Sequence, residues 1–223
     1  MNQPFKDEKN KLIFEIPFSI CGEQHRAPEK ENSNNSPDKV IPFRAAGMCF
    51  YVENPLRIMM IKSKDRGYEF PGGKIDQKDQ DLLYTAIRES VEETNCKIFK
   101  KHANNIEKTI LYLKNYISRN SSIRWMPEFK FKYGLFLIRL PNTSVFSTEV
   151  YGQMEEFEKI DRTISWLSKD EVVNIINDNS ISKFALLRMN TYLKKNLLSW
   201  LSSRSYSTKI WIPCSTNRTL ITT

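Results

Sequence analysis

Hydrophobic and polar positions divide this chain into short apolar runs of strand type and longer stretches with helical spacing. Lys11 to Cys21 (KLIFEIPFSIC) has strand composition, and the polar stretch 22–39, rich in Glu, Asn, Ser and Pro, reads as a flexible linker. Ala45 to Val52 and Ile58 to Lys62 are apolar runs separated by Glu53-Asn54-Pro55, which predicts a strand pair. Asp65-Arg66-Gly67 breaks the chain, Gly72-Gly73 marks a loop, and a helix is expected from about Asp81 to Asn95. In it Leu83, Ile87, Val91 and Asn95 fall four apart, with Leu82, Ala86 and Ser90 beside them. Asn105 to Ser118 repeats the helical rhythm through Ile106, Ile110, Leu113 and Ile117. Phe129 to Leu140 and Ile164 to Leu167 read as strands. Ser168-Lys169-Asp170-Glu171 fits a capping box that opens a helix to about Asn177, and a last helix is expected over Lys183 to Leu201. The pattern therefore predicts residues 1–39 as an N-terminal strand and linker, 40–202 as one α/β domain, and 203–223 as a basic, Ser/Thr-rich tail.

Composition narrows the class. A chain of 223 residues accommodates one full-sized α/β domain with extra segments, and 40% hydrophobic content supplies a core and excludes wholesale disorder. No apolar run approaches the roughly 18 residues of a membrane span, and the polar N-terminus lacks the apolar core of a secretory signal. Cys21, Cys49, Cys96 and Cys214 are far apart and form no C-x-x-C pair. That spacing argues against a zinc site or a disulfide framework and predicts reduced thiols in a cytoplasmic protein without a membrane partner. In that setting the Asn-x-Ser/Thr matches at Asn34, Asn120, Asn142 and Asn217 are chance.

Charge changes the picture more. Of the net +8, the stretch Lys97 to Lys132 carries +7: nine Lys and Arg residues, including Lys108, Lys114 and Arg119, against Glu107 and Glu128. Such a field attracts polyanions, polyphosphates or RNA among them. Tyr112, Tyr116, Trp125, Phe129 and Phe131 interleave with these cations, as in surfaces that stack a base while cations hold phosphates. The competing reading is a solvated basic helical insertion whose aromatics pack inward.

The segment with the most chemistry runs from Glu69 to Asp76 (EFPGGKID) into Arg88 to Cys96 (RESVEETNC). On a helix Glu89, Glu92 and Glu93 stand at i, i+3 and i+4, so three carboxylates project from one face. Their mutual repulsion makes sense around a cation, and all-oxygen ligation suits Mg²⁺ or Mn²⁺ shared with substrate phosphates. Gly72-Gly73 lets the backbone approach metal or phosphate closely, and Arg88 can orient a neighbouring carboxylate. Three glutamates alone would fit an acidic solvent face; the glycines, the arginine and the spacing together favour a site.

This segment resembles the Nudix box, G-x5-E-x7-R-E-U-x-E-E-x-G-U with U a bulky apolar residue. Phe70-Pro71-Gly72-Gly73-Lys74 matches the family's run-in, Gly73 the box glycine, and Arg88-Glu89 with Glu92-Glu93 its R-E-x-x-E-E core. The resemblance implies an α/β/α sandwich around a mixed sheet. It also implies a catalytic set of Arg88, Glu89, Glu92 and Glu93, with the three glutamates and the Gly72 carbonyl as ligands of Mg²⁺ or Mn²⁺. Arg88 would be the structural partner of a glutamate; Lys74 beside the glycines, with Lys108, Lys114 and Arg119 of the basic stretch, are the candidate substrate contacts. Three departures stand out. One extra residue precedes Arg88, with an aspartate (Asp79, or else Asp81) as first acid; Ser90 replaces an apolar residue; and Asn95 replaces the glycine at the helix end, where Asn also tolerates the left-handed conformation. Family members often place a general base upstream of an aromatic-ending strand. Here Ser165 precedes Trp166, which leaves Glu155, Glu156, Glu158 and Asp161, or Glu69, as candidates. The implied activity is hydrolysis of a nucleoside diphosphate-linked substrate, with an mRNA cap or another polyphosphate-rich compound as a specific form. Diphosphoinositol polyphosphate or ADP-ribose hydrolysis is a second reading, and a non-catalytic nucleotide-sensing module a third.

Overall fold

The computed structural model describes residues 5–6, 12–17, 40–97, 105–120, 123–128, 132–145, 154–155 and 159–182. Strands β1 (Phe5–Lys6), β2 (Leu12–Pro17) and β3 (Val40–Phe43) form a small antiparallel sheet. The chain continues through Arg44 into the central strand, β4 (Ala45–Glu53). Then follow β5 (Leu56–Ser63), β6 (Gly67–Glu69), β7 (Gly72–Lys74), helix α1 (Leu82–Glu93) and helix α2 (Ile106–Asn120). The described chain ends with β8 (Ile123–Glu128), β9 (Tyr133–Arg139), β10 (Met154–Glu155), β11 (Ile160–Ser168) and helix α3 (Lys169–Asn177). The main sheet has the order β10-β11-β5-β4-β9-β8, with β6 on β5 and β7 on β4. It is mixed: β4 runs parallel to β9 and every other pairing in it is antiparallel.

β4 is buried along nearly its whole length because helices cover both faces of the sheet, so its sequence is a continuous apolar run rather than an alternating one. The period of two sorts its side chains. Ala46, Met48, Phe50 and Val52 join Leu83, Ile87 and Val91 of α1 and Ile110, Leu113 and Ile117 of α2 in one core. Cys49 and Tyr51 join Ile58, Met60, Leu135, Leu137 and, from α3, Val172 in the other. The three-layer α/β/α sandwich around a mixed sheet is therefore the observed architecture. Cys49 and Cys96 are buried free thiols. No helix among the described residues is long and apolar enough to cross a membrane.

Several local expectations are met. Asp81 caps α1 by accepting a hydrogen bond from Tyr84 N at 2.7 Å, and Asn95 takes the left-handed conformation at φ 52°. Asn105 accepts from Lys108 N at 2.8 Å at the start of α2. At α3, Ser168 N donates to Glu171 Oε2 at 2.6 Å and Glu171 N donates to Ser168 Oγ at 3.2 Å, which completes the capping box.

Other expectations change. The strand read over 129–140 is shorter, Tyr133–Arg139, and it pairs with a second strand, β8, inside the basic stretch. Pro127 hides β8 from pattern reading, and β8 tolerates it as an edge strand. The Gly72-Gly73 loop is itself a short strand, since Ala46↔Gly73 and Gly47↔Gly72 are in register. β11 begins four residues earlier than the apolar run 164–167 because its exposed positions, Asp161 and Thr163, are polar. β2 pairs with β3 from Phe14↔Phe43 to Pro17↔Val40, on either side of the stretch 22–39. The linker 22–39, the helix expected over 183–201 and the tail 203–223 lie outside the described residues.

One feature of α1 is costly. Ser90, in the position the resemblance gives to a bulky apolar residue, is fully buried, and its Oγ has no hydrogen-bond partner among the described residues. A buried unsatisfied hydroxyl costs about 1–3 kcal/mol, and Ala is also the better helix former. Ser90→Ala is therefore expected to raise the free energy of unfolding by about 1 kcal/mol, measured by urea denaturation. A lower stability would show that the hydroxyl is satisfied by a buried water.

Candidate functional site

β4 and β5 pair only at their turn end, Tyr51↔Ile58 to Glu53↔Leu56. Beyond it they diverge, and the β6–β7 segment fills the wedge: β6 adds to β5 (Ile61↔Glu69), β7 adds to β4, and Met48 N donates to Pro71 O at 2.9 Å. This wedge sets Gly72-Gly73 against the last two turns of α1. A Cβ on Gly72 would collide with backbone atoms of Ala46 and Gly47 and with the Tyr133 hydroxyl. A Cβ on Gly73 would collide instead with the carboxyl group of Glu89. The first glycine is required by strand packing; the second makes room for a carboxylate.

The acidic face of α1 closes on that surface. Gly72 N donates to Glu93 Oε2 at 2.7 Å, and Arg162 Nη1, from β11, donates to Glu93 Oε1 at 2.6 Å. Arg88 serves the other carboxylates. Its Nε and Nη2 donate to Asp79 Oδ1 and Oδ2 at 2.8 and 3.0 Å, a bidentate pair, and Nη2 also reaches the Lys74 carbonyl at 2.9 Å. Its Nη1 lies 2.9 Å from Glu92 Oε2 and 3.0 Å from Glu89 Oε1. Asp79 is buried and accepts further bonds from Asp76 N at 2.8 Å and Thr85 Oγ1 at 2.9 Å. Asp79 is thus the acid that partners Arg88, and Asp81 is the helix cap.

The balance of charge is unfavourable as it stands. Asp79, Glu89, Glu92 and Glu93 face two guanidiniums, Arg88 and Arg162: four negative charges against two positive, a net −2. Burial pushes the Glu89 carboxyl up to about 7 and Glu93 to about 8, against the opposing pull of Arg88 and Arg162 respectively. Glu92 is raised as well, again chiefly by burial. Among the described residues no group of three His, Cys, Asp or Glu side chains already converges in a way that could hold a metal ion, because the two arginines and the Gly72 amide engage the carboxylates. The donor set nonetheless fits a hard divalent cation: oxygen donors only, two negative charges in excess, and a glycine cradle that a side chain would fill.

The remaining sequence-derived candidates divide. Lys74 is exposed on β7, beside the site. Lys114 turns toward the box loop, with Nζ 3.3 Å from Gln80 Oε1 and 5.9 Å from the centre of the Tyr84 ring. Lys108 and Arg119 are exposed on α2, and Arg119 lies in its last turn. Tyr112 and Tyr116 pack against the core, which favours the inward-packing reading for these two aromatics. Glu155 lies on β10 opposite Ile160, and Asp161 is exposed on β11; Glu156 and Glu158 fall outside the described residues. Glu69 is buried, accepts from Ser63 Oγ at 3.2 Å and lies 3.2 Å from Arg66 Nη2.

Arg162 is the site residue that pattern reading misses. The signal was available: in Ile160–Ser168 the alternation places residue 162 in phase with Ile164, on the buried side of the strand. A charged residue in that phase requires a buried partner.

The two glycines give a direct contrast. Gly72→Ala meets backbone and is expected to lower the melting temperature sharply. Gly73→Ala meets only the end of a flexible side chain, so it should fold normally while displacing Glu89 and weakening Mn²⁺ binding by about tenfold, the scale seen when support around a metal ligand is lost. Calorimetric titration and thermal melts of both variants measure this; equal metal affinity in Gly73→Ala and the parent would refute the cradle.

A family model for the NUDIX domain matches residues 42–185. A mitochondrial coenzyme A diphosphatase of Mus musculus is 42% identical over 48 residues, which is 21% of this chain and 23% of that protein. The match thus spans about a quarter of the length of that curated relative. Among solved structures, an Ap4A hydrolase of C. elegans in a binary complex is 15% identical, covering 66% of this chain and 96% of that one, with a TM-score of 0.34. The Bacillus subtilis pyrophosphohydrolase BsRppH is 12% identical, covering 89% of this chain and 92% of that one, with a TM-score of 0.37. The family match takes in more than half of the chain and contains every residue of the carboxylate cluster, its glycines and both arginines: the chain belongs to the NUDIX family.

Proposed function

We propose that this chain is a divalent-metal-dependent Nudix hydrolase that cleaves the diphosphate linkage of a nucleoside diphosphate-linked substrate. The observation that carries the reading is the uncompensated carboxylate cluster of α1, Glu89, Glu92 and Glu93, closed against Gly72-Gly73. These three side chains, with the Gly72 carbonyl, would hold Mg²⁺ or Mn²⁺. Such an ion offsets the negative charge of the diphosphate and lowers the pKa of a bound water, so that a nucleophile exists near neutral pH.

The chain's own residues do the rest. Arg88, anchored on Asp79 by two hydrogen bonds, presents its third nitrogen to Glu89 and Glu92 and keeps both on one side of the helix. The exposure of Lys74 on β7, next to Gly73, supports it as a contact for substrate phosphate. Lys114 approaches the same region from α2 and is the basic-stretch residue with the best support as a phosphate contact; Lys108 and Arg119 would act on a longer anion. β10 pairs with β11 in the register Glu155↔Ile160, and Glu155 or Glu156 is the acid proposed to remove the proton from the attacking water. A substrate with several phosphates, an mRNA cap or other RNA 5′ end among them, is the specific form favoured by the +7 stretch 97–132.

A magnesium-dependent screen over capped RNA, dinucleoside polyphosphates, nucleoside triphosphates, ADP-ribose and diphosphoinositol phosphates tests the reading. Turnover should fall by at least about 10²-fold in Glu92→Gln and in Glu93→Gln, with thermal melts used to check that each variant is folded. Parental turnover in both folded variants would remove the metal assignment. Silence across the panel with nucleotide still binding would favour the sensing module.

The basic helix makes a separate prediction. Lys114→Glu is expected to raise KM for every phosphate-rich substrate. The pair Lys108→Glu and Arg119→Glu should raise it for RNA or polyphosphate and leave ADP-ribose nearly unaffected. Equal effects of all three reversals on ADP-ribose and capped RNA would show that the helix presents only a solvated charged face.

A further inference from the structure

We infer that Arg162 is a positioning residue that fixes the Glu93 carboxylate from strand β11, on the face of the sheet that α1 covers. The inference rests on the reading that Glu93 holds the metal, and it adds a residue outside the box to that machinery. Glu93 is held at both oxygens, Oε1 by Arg162 Nη1 at 2.6 Å and Oε2 by Gly72 N at 2.7 Å. These donors come from β11 and β7, so one carboxylate ties three elements together. The Arg162 side chain is only 1% exposed and that of Glu93 12%, so water does not substitute readily for either partner.

Arg162 stands opposite Ser63 in the β11–β5 register; Ser63 is buried and donates to Glu69, which is itself held by Arg66. Glu69 therefore has partners of its own, while Arg162 extends to α1. Arg88 and Arg162 divide the cluster between them, Arg88 taking Asp79, Glu89 and Glu92 and Arg162 taking Glu93. With Oε1 and Oε2 each engaged by a donor, the Glu93 carboxylate is held in one orientation. It can present only its remaining lone pairs to a cation, in a fixed direction.

A positioning role differs from mere charge compensation in what a lysine does. Arg162→Lys keeps the positive charge and loses the planar, directional donor. The expected result is a folded protein in which Mn²⁺ binds about tenfold more weakly, kcat falls by a similar factor and KM is nearly unchanged. The Gly72 amide, observed by NMR in the metal-free protein, should exchange faster as Glu93 is released. In a double-mutant cycle, adding Arg162→Lys to Glu93→Gln should change Mn²⁺ affinity no further.

The outcomes separate cleanly. Parental Mn²⁺ affinity in Arg162→Lys, with Glu93→Gln defective, would overturn the positioning role and leave the metal reading intact. Additive losses in the cycle would overturn it as well, since Arg162 would then act through another group. Parental Mn²⁺ affinity in Glu93→Gln would overturn both readings. If Arg162→Lys fails to fold, Arg162→Gln, which also loses the 2.6 Å contact, is carried through the same cycle with the same expected non-additivity.

Discussion

Four carboxylates share the space between the last turns of one helix and one edge of a sheet, and that crowding governs the rest of the site. Two like charges about 4 Å apart in partly solvated protein repel by about 4 kcal/mol. Such a cluster persists only where something else holds it. Here the holding is done by two arginines and one backbone amide, and each comes from a different direction: Arg88 from within α1, Arg162 from β11 and the Gly72 amide from β7. They leave two negative charges unanswered, and burial adds a separate cost by pushing the Glu89 and Glu93 carboxyls up.

The scaffold makes this arrangement possible by letting the sheet come apart locally. β4 pairs with β5 over three residues only, and the wedge that opens beyond them accepts β6 and β7. A regular hairpin would have filled the same volume with side chains. The divergence replaces them with glycine backbone, so polar atoms of the main chain face the acidic side of α1. The apolar core that α1 shares with β4 and α2 lies behind this surface and locks the helix axis relative to the sheet.

Much of this was legible in the sequence because it is local. The three glutamates at i, i+3 and i+4, the capping box at Ser168 and the left-handed Asn95 are all decided within a few residues, where spacing is a sufficient guide. What escaped was long-range or disguised. Glu93 and Arg162 are 69 positions apart, and no local rule couples them. β8 was concealed by Pro127 and by its basic surroundings, and the first four residues of β11 by polar residues at its exposed positions. Asp79 could not be separated from Asp81 until the loop geometry showed one beneath Arg88 and the other at the helix end.

The same separation bears on how the molecule assembles. A nascent chain grown to residue 140 already contains the whole box, α1, and the strands that bury its apolar stripe, yet it lacks the guanidinium that answers Glu93. The strand carrying it must dock along seven residues of β5, from Arg162↔Ser63 to Ser168↔Arg57. Soon after comes the Ser180–Ser182 backbone, which closes on Tyr68 through two 2.9 Å hydrogen bonds. Contacts of such sequence distance form late, since the loop between them must close first. Maturation of the acidic centre is thereby tied to the arrival of the final third of the domain, and an incomplete translation product would carry the box without its finished electrostatics.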